Sequence, residues 1–222
     1  MATRHNIATL SILSVLLAIS RVASAQSVSE SEVLAAIQAG ENKKMEALVS
    51  TCVAGPGFGE DFAAGLAGGL QHNGSYSVTV STNAGRIAYM AASAKRLYKK
   101  FTPDNMTDEL RTPSVFVNVE PNKPPRGRNE VSVPAPIQHV VLKSKAKPEA
   151  VAQPTKLDTE QVAFSNLLGA TLDASRAVAI FDLVAVRELP AGDVDVVIVT
   201  AAGERRCKIG GKDRARLFTE AR

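Results

Sequence analysis

Tryptophan is absent from this chain of 222 residues, and aromatic side chains make up only 5% of it. A carbohydrate-binding module that stacks sugars on aromatic platforms is thereby disfavoured. Cysteine is nearly absent as well. Cys52 and Cys207 are the only two and form no CxxC pair, which argues against thioredoxin-like chemistry and against a zinc site built on paired cysteine ligands. Of the three histidines, His5 lies in the leader, His72 in a turn signal and His139 in a strand pattern. No HExxH, EF-hand loop or GxSxG elbow occurs, so no metal, no cofactor and no catalytic residue is assigned.

Three near misses fail for physical reasons. Gly55-Pro56-Gly57-Phe58-Gly59 has Glu60 where a dinucleotide loop needs glycine, and no strong strand precedes it. Gly210-Gly211-Lys212 is followed by Asp213, and Arg206 stands where a phosphate loop has its first glycine. Ser144-Lys145-Ala146-Lys147 matches SxxK, but in a Lys/Ala/Pro segment read as a solvated linker, where a lysine keeps its proton.

Long apolar runs are also scarce. The one that exists, Ile7 to Ile19, follows Arg4 and precedes Ala23-Ser24-Ala25. This is the pattern of a secretory signal over residues 1–25, with cleavage before Gln26; the run is short for a membrane span and Arg21 interrupts its far end. Loss of Arg4 and Arg21 takes the formal charge from +4 to +2, too little for dedicated nucleic-acid binding. A secreted or periplasmic location follows, with no membrane span after cleavage. In an oxidising compartment the lone cysteine pair suggests a Cys52–Cys207 disulfide, the alternative being two buried thiols. The chain-entropy model allows roughly 4–5 kcal/mol for so long a loop.

What is plentiful is β-forming sequence near the C-terminus. Val194-Asp195-Val196-Val197-Ile198-Val199-Thr200 is β-branched on both alternating faces, as in a strand covered on both sides. Ala201-Ala202-Gly203-Glu204 supplies a turn, Arg205 to Ile209 a returning strand, and Lys212 to Glu220 a short closing helix with Leu217 and Phe218 inward. Ile198 is expected in the core and Arg205 on a solvated face.

Toward the N-terminus, Ser29-Glu30-Ser31-Glu32 is a capping box opening a helix that Gly40 ends. A second helix is predicted over Asn42 to Cys52, a small packed helix over Phe62 to Leu70, and the clearest amphipathic helix over Asn83 to Phe101. Strands are predicted at Tyr76 to Ser81, Ser114 to Val119, Ile137 to Lys143 and Ala177 to Phe181. Thr102-Pro103-Asp104 starts a short helix, Leu183 to Leu189 forms a helical turn, and Pro121 to Pro136 and Ser144 to Thr155 read as exposed connections. The expected fold is α+β, with N-terminal helices on a largely antiparallel sheet and a C-terminal hairpin followed by a short helix. It divides into a helix-rich part, 26–112, and a strand-rich part, 113–222, within what can be one domain.

Two basic groups stand out. Arg205, Arg206, Lys212 and Arg214 crowd the terminal hairpin and helix start, where backbone N–H groups can meet an anion; Asp193, Asp195, Glu204 and Asp213 can instead neutralise them. Lys95, Arg96, Lys99 and Lys100 end the long helix, as helix-dipole partners or as a patch facing lipid headgroups or acidic polymer. The expected function is an exported, non-catalytic protein that binds another exported protein or an anionic cell-envelope component. The alternative is a small secreted hydrolase whose site assembles from distant residues.

Overall fold

A computed structural model describes residues 27–42, 44, 48–55, 74–122, 133–165 and 171–219. The leader, the segment Phe62 to Leu70, His72 and the glycine-rich stretch 56–60 lie outside the described residues. Helix α1 (Glu30–Glu41) opens with the expected capping box: Glu32 N–H donates to Ser29 Oγ at 3.3 Å, and Ser29 N–H donates to Glu32 Oε2 at 2.8 Å. Strands β1 (Val49–Ala54) and β2 (Tyr76–Thr82) follow, then α2 (Asn83–Arg96), a 3₁₀ turn (Pro103–Asn105) and α3 (Asp108–Arg111). Strands β3 (Ser114–Pro121), β4 (Ile137–Ser144), β5 (Val151–Ala152), β6 (Lys156–Ser165) and β7 (Thr171–Asp182) come next. Helix α4 (Leu183–Glu188), strands β8 (Val194–Thr200) and β9 (Gly203–Ile209), and helix α5 (Gly211–Thr219) complete the chain.

The strands form two antiparallel sheets, ordered β1-β2-β3-β7-β6 and β5-β4-β8-β9. Period-two alternation explains the main core. Tyr76, Val78 and Val80 of β2, Val115, Val117 and Val119 of β3, and Ala177, Ala179 and Phe181 of β7 meet Val140, Leu142, Val194, Val196 and Ile198 across the gap between sheets. The opposite face of the five-stranded sheet contributes Phe116 and Ile180 to a second cluster with Val33, Ile37, Ile87 and Ala91 of the helices. Phe116 shows why β3 reads as continuously apolar: the central strand is covered on both faces. Helices α4 and α5 add Leu183, Val186, Leu217 and Phe218 to the inter-sheet core.

One edge joins the sheets. Cys52 of β1 and Cys207 of β9 form a disulfide with their Cα atoms 5.8 Å apart, and Gly55 and Arg206 make an isolated antiparallel bridge beside it. At the hairpin, Gly203 takes φ 116°, a conformation costly for any side chain.

Several expectations need correction. The helix expected over Asn42 to Cys52 gives way from Val49 to strand β1, whose β-branched Val49, Thr51 and Val53 pair with β2 from Val49–Ser81 to Ala54–Tyr76. Gly40 does not end α1; it lies one residue inside, where a Cβ would come within 2.0 Å of the Ala88 carbonyl oxygen, so it permits the close crossing of α1 and α2. The connection Ser144 to Thr155 contains the short strand β5, paired with β4 through Leu142–Ala152 and Lys143–Val151. Helix α2 stops at Arg96, before the end of its apolar stripe. The chain turns back there, so that Phe101 reaches the helix-side core beside Met106 and Leu110 without being helical. Asn83 fixes the other end of α2: its Nδ2 donates to the carbonyls of Leu110 and Thr112, each at 2.9 Å, and its Oδ1 accepts the Ser114 N–H at 2.6 Å.

Candidate functional site

The C-terminal basic residues do not share one surface. On β9 the alternation Arg205, Cys207, Ile209 faces the core, and Arg205 is only 3% exposed, contrary to the solvated position expected for it. It lies close enough to Tyr76 to act on it electrostatically, while burial pushes the Tyr76 phenol well above its ordinary range; the phenol donates to the Ala135 carbonyl. Arg206 points outward and pairs with Glu204 at 2.5 Å. Lys212 is exposed on α5.

Arg214 is buried, and its guanidinium donates to the carbonyls of Pro190, Leu189 (2.5 Å) and Gly192 (3.3 Å), gathering the end of α4 and the loop after it. Burial lowers its pKa from the ordinary arginine value. Arg187 donates to the Phe218 carbonyl at 3.0 and 3.1 Å. An open cleft of about 450 Å³ lies here, lined by Arg187, Gly192, Arg214, Ala215 and Phe218. Its guanidiniums are committed to backbone carbonyls. The Gly211 N–H at the start of α5 donates to Asp193 Oδ1 at 2.9 Å, and Lys208 approaches the other oxygen at 3.5 Å. The Gly211 bond first, and the Lys208 charge after it, hold the Asp193 carboxyl below the usual carboxylate range. The anion at this helix terminus is thus supplied by the chain itself.

The remaining polar candidates have ordinary partners. His139 Nε2 lies 2.8 Å from Gln153 Oε1. Ser144, of the SxxK match, is buried and accepts the Lys147 N–H at 3.3 Å, forming a turn. Among the described residues no group of three His, Cys, Asp or Glu side chains is placed to hold a metal ion.

The second basic group is arranged differently. At the end of α2 the Tyr98 N–H donates to the Lys95 carbonyl at 3.1 Å, and the Lys99 N–H donates to the Ala94 carbonyl at 2.9 Å. These two bonds make a Schellman turn, whose left-handed position glycine usually fills. Here that position is Tyr98, with φ 55°, the only described non-glycine residue at positive φ. Such a residue costs roughly 1–2 kcal/mol relative to a right-handed conformation. The turn leaves the Tyr98 ring fully in solvent, and the neighbouring Leu97 is 67% exposed.

Cations surround this knuckle. Lys95 Nζ donates to the Glu41 carbonyl at 2.8 Å, tying the ends of α1 and α2 together, and Arg96 Nη2 donates to Ser93 Oγ at 3.2 Å. Lys99 and Lys100 are exposed, as is Lys44, three residues beyond Glu41. Among the described residues none of these five forms an ion pair with a carboxylate. A shallow depression of about 430 Å³ is lined by Glu41, Lys95, Tyr98, Lys99 and Lys100. The whole chain has a formal charge of only +4, so this corner holds an outsized share of the uncompensated positive charge. The basic run is visible in the sequence. The exposed ring at its centre is not, because the amphipathic pattern runs straight through Leu97 and Tyr98 to Phe101. No family model, curated protein or solved structure matches this chain.

Proposed function

We propose that this is an exported, non-catalytic protein that uses the knuckle at the end of α2 to hold an anionic partner or component of the cell envelope. The single observation that carries this reading is Tyr98: a bulky aromatic residue held at φ 55° and fully exposed amid Lys95, Arg96, Lys99 and Lys100. Helix-dipole compensation accounts for the lysines, but not for an aromatic ring at a position where glycine is easier to accommodate. Backbone strain kept at the surface is a reason to look for a binding role. The Cys52–Cys207 disulfide fits an oxidising compartment. No described helix is long and apolar enough to cross a membrane. The cleft between α4 and α5 offers the hydrolytic alternative no support, since its two guanidiniums are tied to carbonyls and no nucleophile or base is among the described residues that line it.

Immobilised protein should retain acidic material from an envelope fraction at low salt and release it as salt rises. The double variant Lys99→Glu/Lys100→Glu should lose that retention while melting at the same temperature. Equal retention by both proteins refutes the assignment of the knuckle. Intact-mass measurement on the exported protein should give an N-terminus at Gln26; a retained Met1 refutes export by cleavage.

A further inference from the structure

Resting on the reading of the knuckle as an anion-binding surface, we infer that its partner is the surface of an anionic lipid bilayer. Leu97 and Tyr98 enter the headgroup region, and Lys95, Arg96, Lys99 and Lys100 engage lipid phosphates around them. A dissolved polyanion would be served by the cations alone. The knuckle offers something more: two adjacent apolar side chains at its tip, one 67% exposed and the other fully exposed, on a turn that projects them away from the core. A tip of this composition is complementary to a layer that is anionic outside and apolar just beneath. Tyrosine suits that boundary because its ring has an apolar body and a polar end.

The geometry also fits. The depression at the end of α2 is open and shallow, so it encloses a peptide strand or helix poorly, whereas a flat deformable surface can meet the protruding tip. Tyr89, 55% exposed, and Arg96 lie seven residues apart on α2 and therefore on one helix face, which extends the aromatic–basic character along the helix. Basic side chains near an anionic membrane each strengthen binding by roughly fivefold, and the attraction weakens as salt screens it.

The test uses purified protein with vesicles of phosphatidylcholine alone, or of phosphatidylcholine and phosphatidylglycerol in equal parts. The protein should sediment with the anionic vesicles, and much less with the neutral ones or at high salt. Lys99→Glu/Lys100→Glu should weaken binding by at least roughly 25-fold, the product of two such side chains. Tyr98→Gly should bind several-fold more weakly while melting at the same or a higher temperature, which separates loss of the ring from loss of the fold. Because the chain has no tryptophan, Tyr98→Trp introduces a single indole whose emission should shift to the blue when anionic vesicles are added. Undiminished binding by Tyr98→Gly, or an indole that does not shift, overturns the lipid assignment. A soluble acidic polymer such as polyglutamate separates the two levels of the argument. If the polymer binds through Lys99 and Lys100 and vesicles do not, the anion-binding reading stands and the bilayer falls. If neither binds, both fall.

Discussion

The two basic clusters put cationic side chains to opposite ends. At the C-terminus, Arg214 and Arg187 spend their donors on the carbonyls of Leu189, Pro190, Gly192 and Phe218, and Arg206 faces Glu204. At the end of α2, Lys99 and Lys100 stand in solvent around a strained, exposed Tyr98. One cluster closes the fold and the other projects charge from it. Charge density along a sequence does not distinguish these cases; where the hydrogen-bond donors go does.

Substitutions can sharpen that contrast. The largest effect should come from the core strand against which the C-terminal cluster is built. Ile198, fully buried opposite Val140, should cost about 2–5 kcal/mol when replaced by alanine, read from denaturant melts. Arg214→Met should come next, at about 1–3 kcal/mol, because the carbonyls at the end of α4 lose their donors in a buried place. If that variant is as stable as the parent, the C-terminal arginines are not structural and the contrast breaks.

Asp193→Asn should act through pH. The folded carboxyl titrates below its unfolded value, so its contribution is present above the ordinary aspartate pKa of about 3.9 and is lost as pH falls through the lower folded value. The stability gap between parent and variant should therefore be steady near neutrality and shrink below about pH 4; a gap that widens in acid refutes the Gly211 cap. The smallest effect belongs to the knuckle: Lys99→Ala/Lys100→Ala should stay within about 0.5 kcal/mol of the parent. A larger loss would make the knuckle structural too.

Much of the architecture was legible because it rests on local patterns. The β8–β9 hairpin, the strand at Tyr76 and the α1 capping box each announce themselves within a single short stretch, the longest being Val194 to Ile209. Strand β1 was not legible. It is an edge strand with partly exposed Cys52 and exposed Val53, and its apolar spacing continues that of the preceding Met45 and Leu48 well enough to suggest a helix; only pairing with β2 decides it. Arg205 failed for a related reason. Polar residues alternate along β9, but which register faces inward is set by Cys207 and Ile209 on the same face. For the site, the lysines could be read directly and the Tyr98 turn could not, since nothing in the periodicity says that α2 stops where Phe101 must fold back.

The seam between β1 and β9 bears on how the protein behaves in a crowded solution. A strand edge with unpaired N–H and C=O groups is a template on which another molecule can grow. Here two such edges are turned toward each other, and the Cys52–Cys207 bond with the Gly55–Arg206 bridge keeps them facing inward. Reduction would remove the covalent tie between the two edges, so self-association should rise when the thiols are free. A batch folded without oxidation should be lost to edge-to-edge strand pairing between molecules while its two sheets still hold most of their secondary structure.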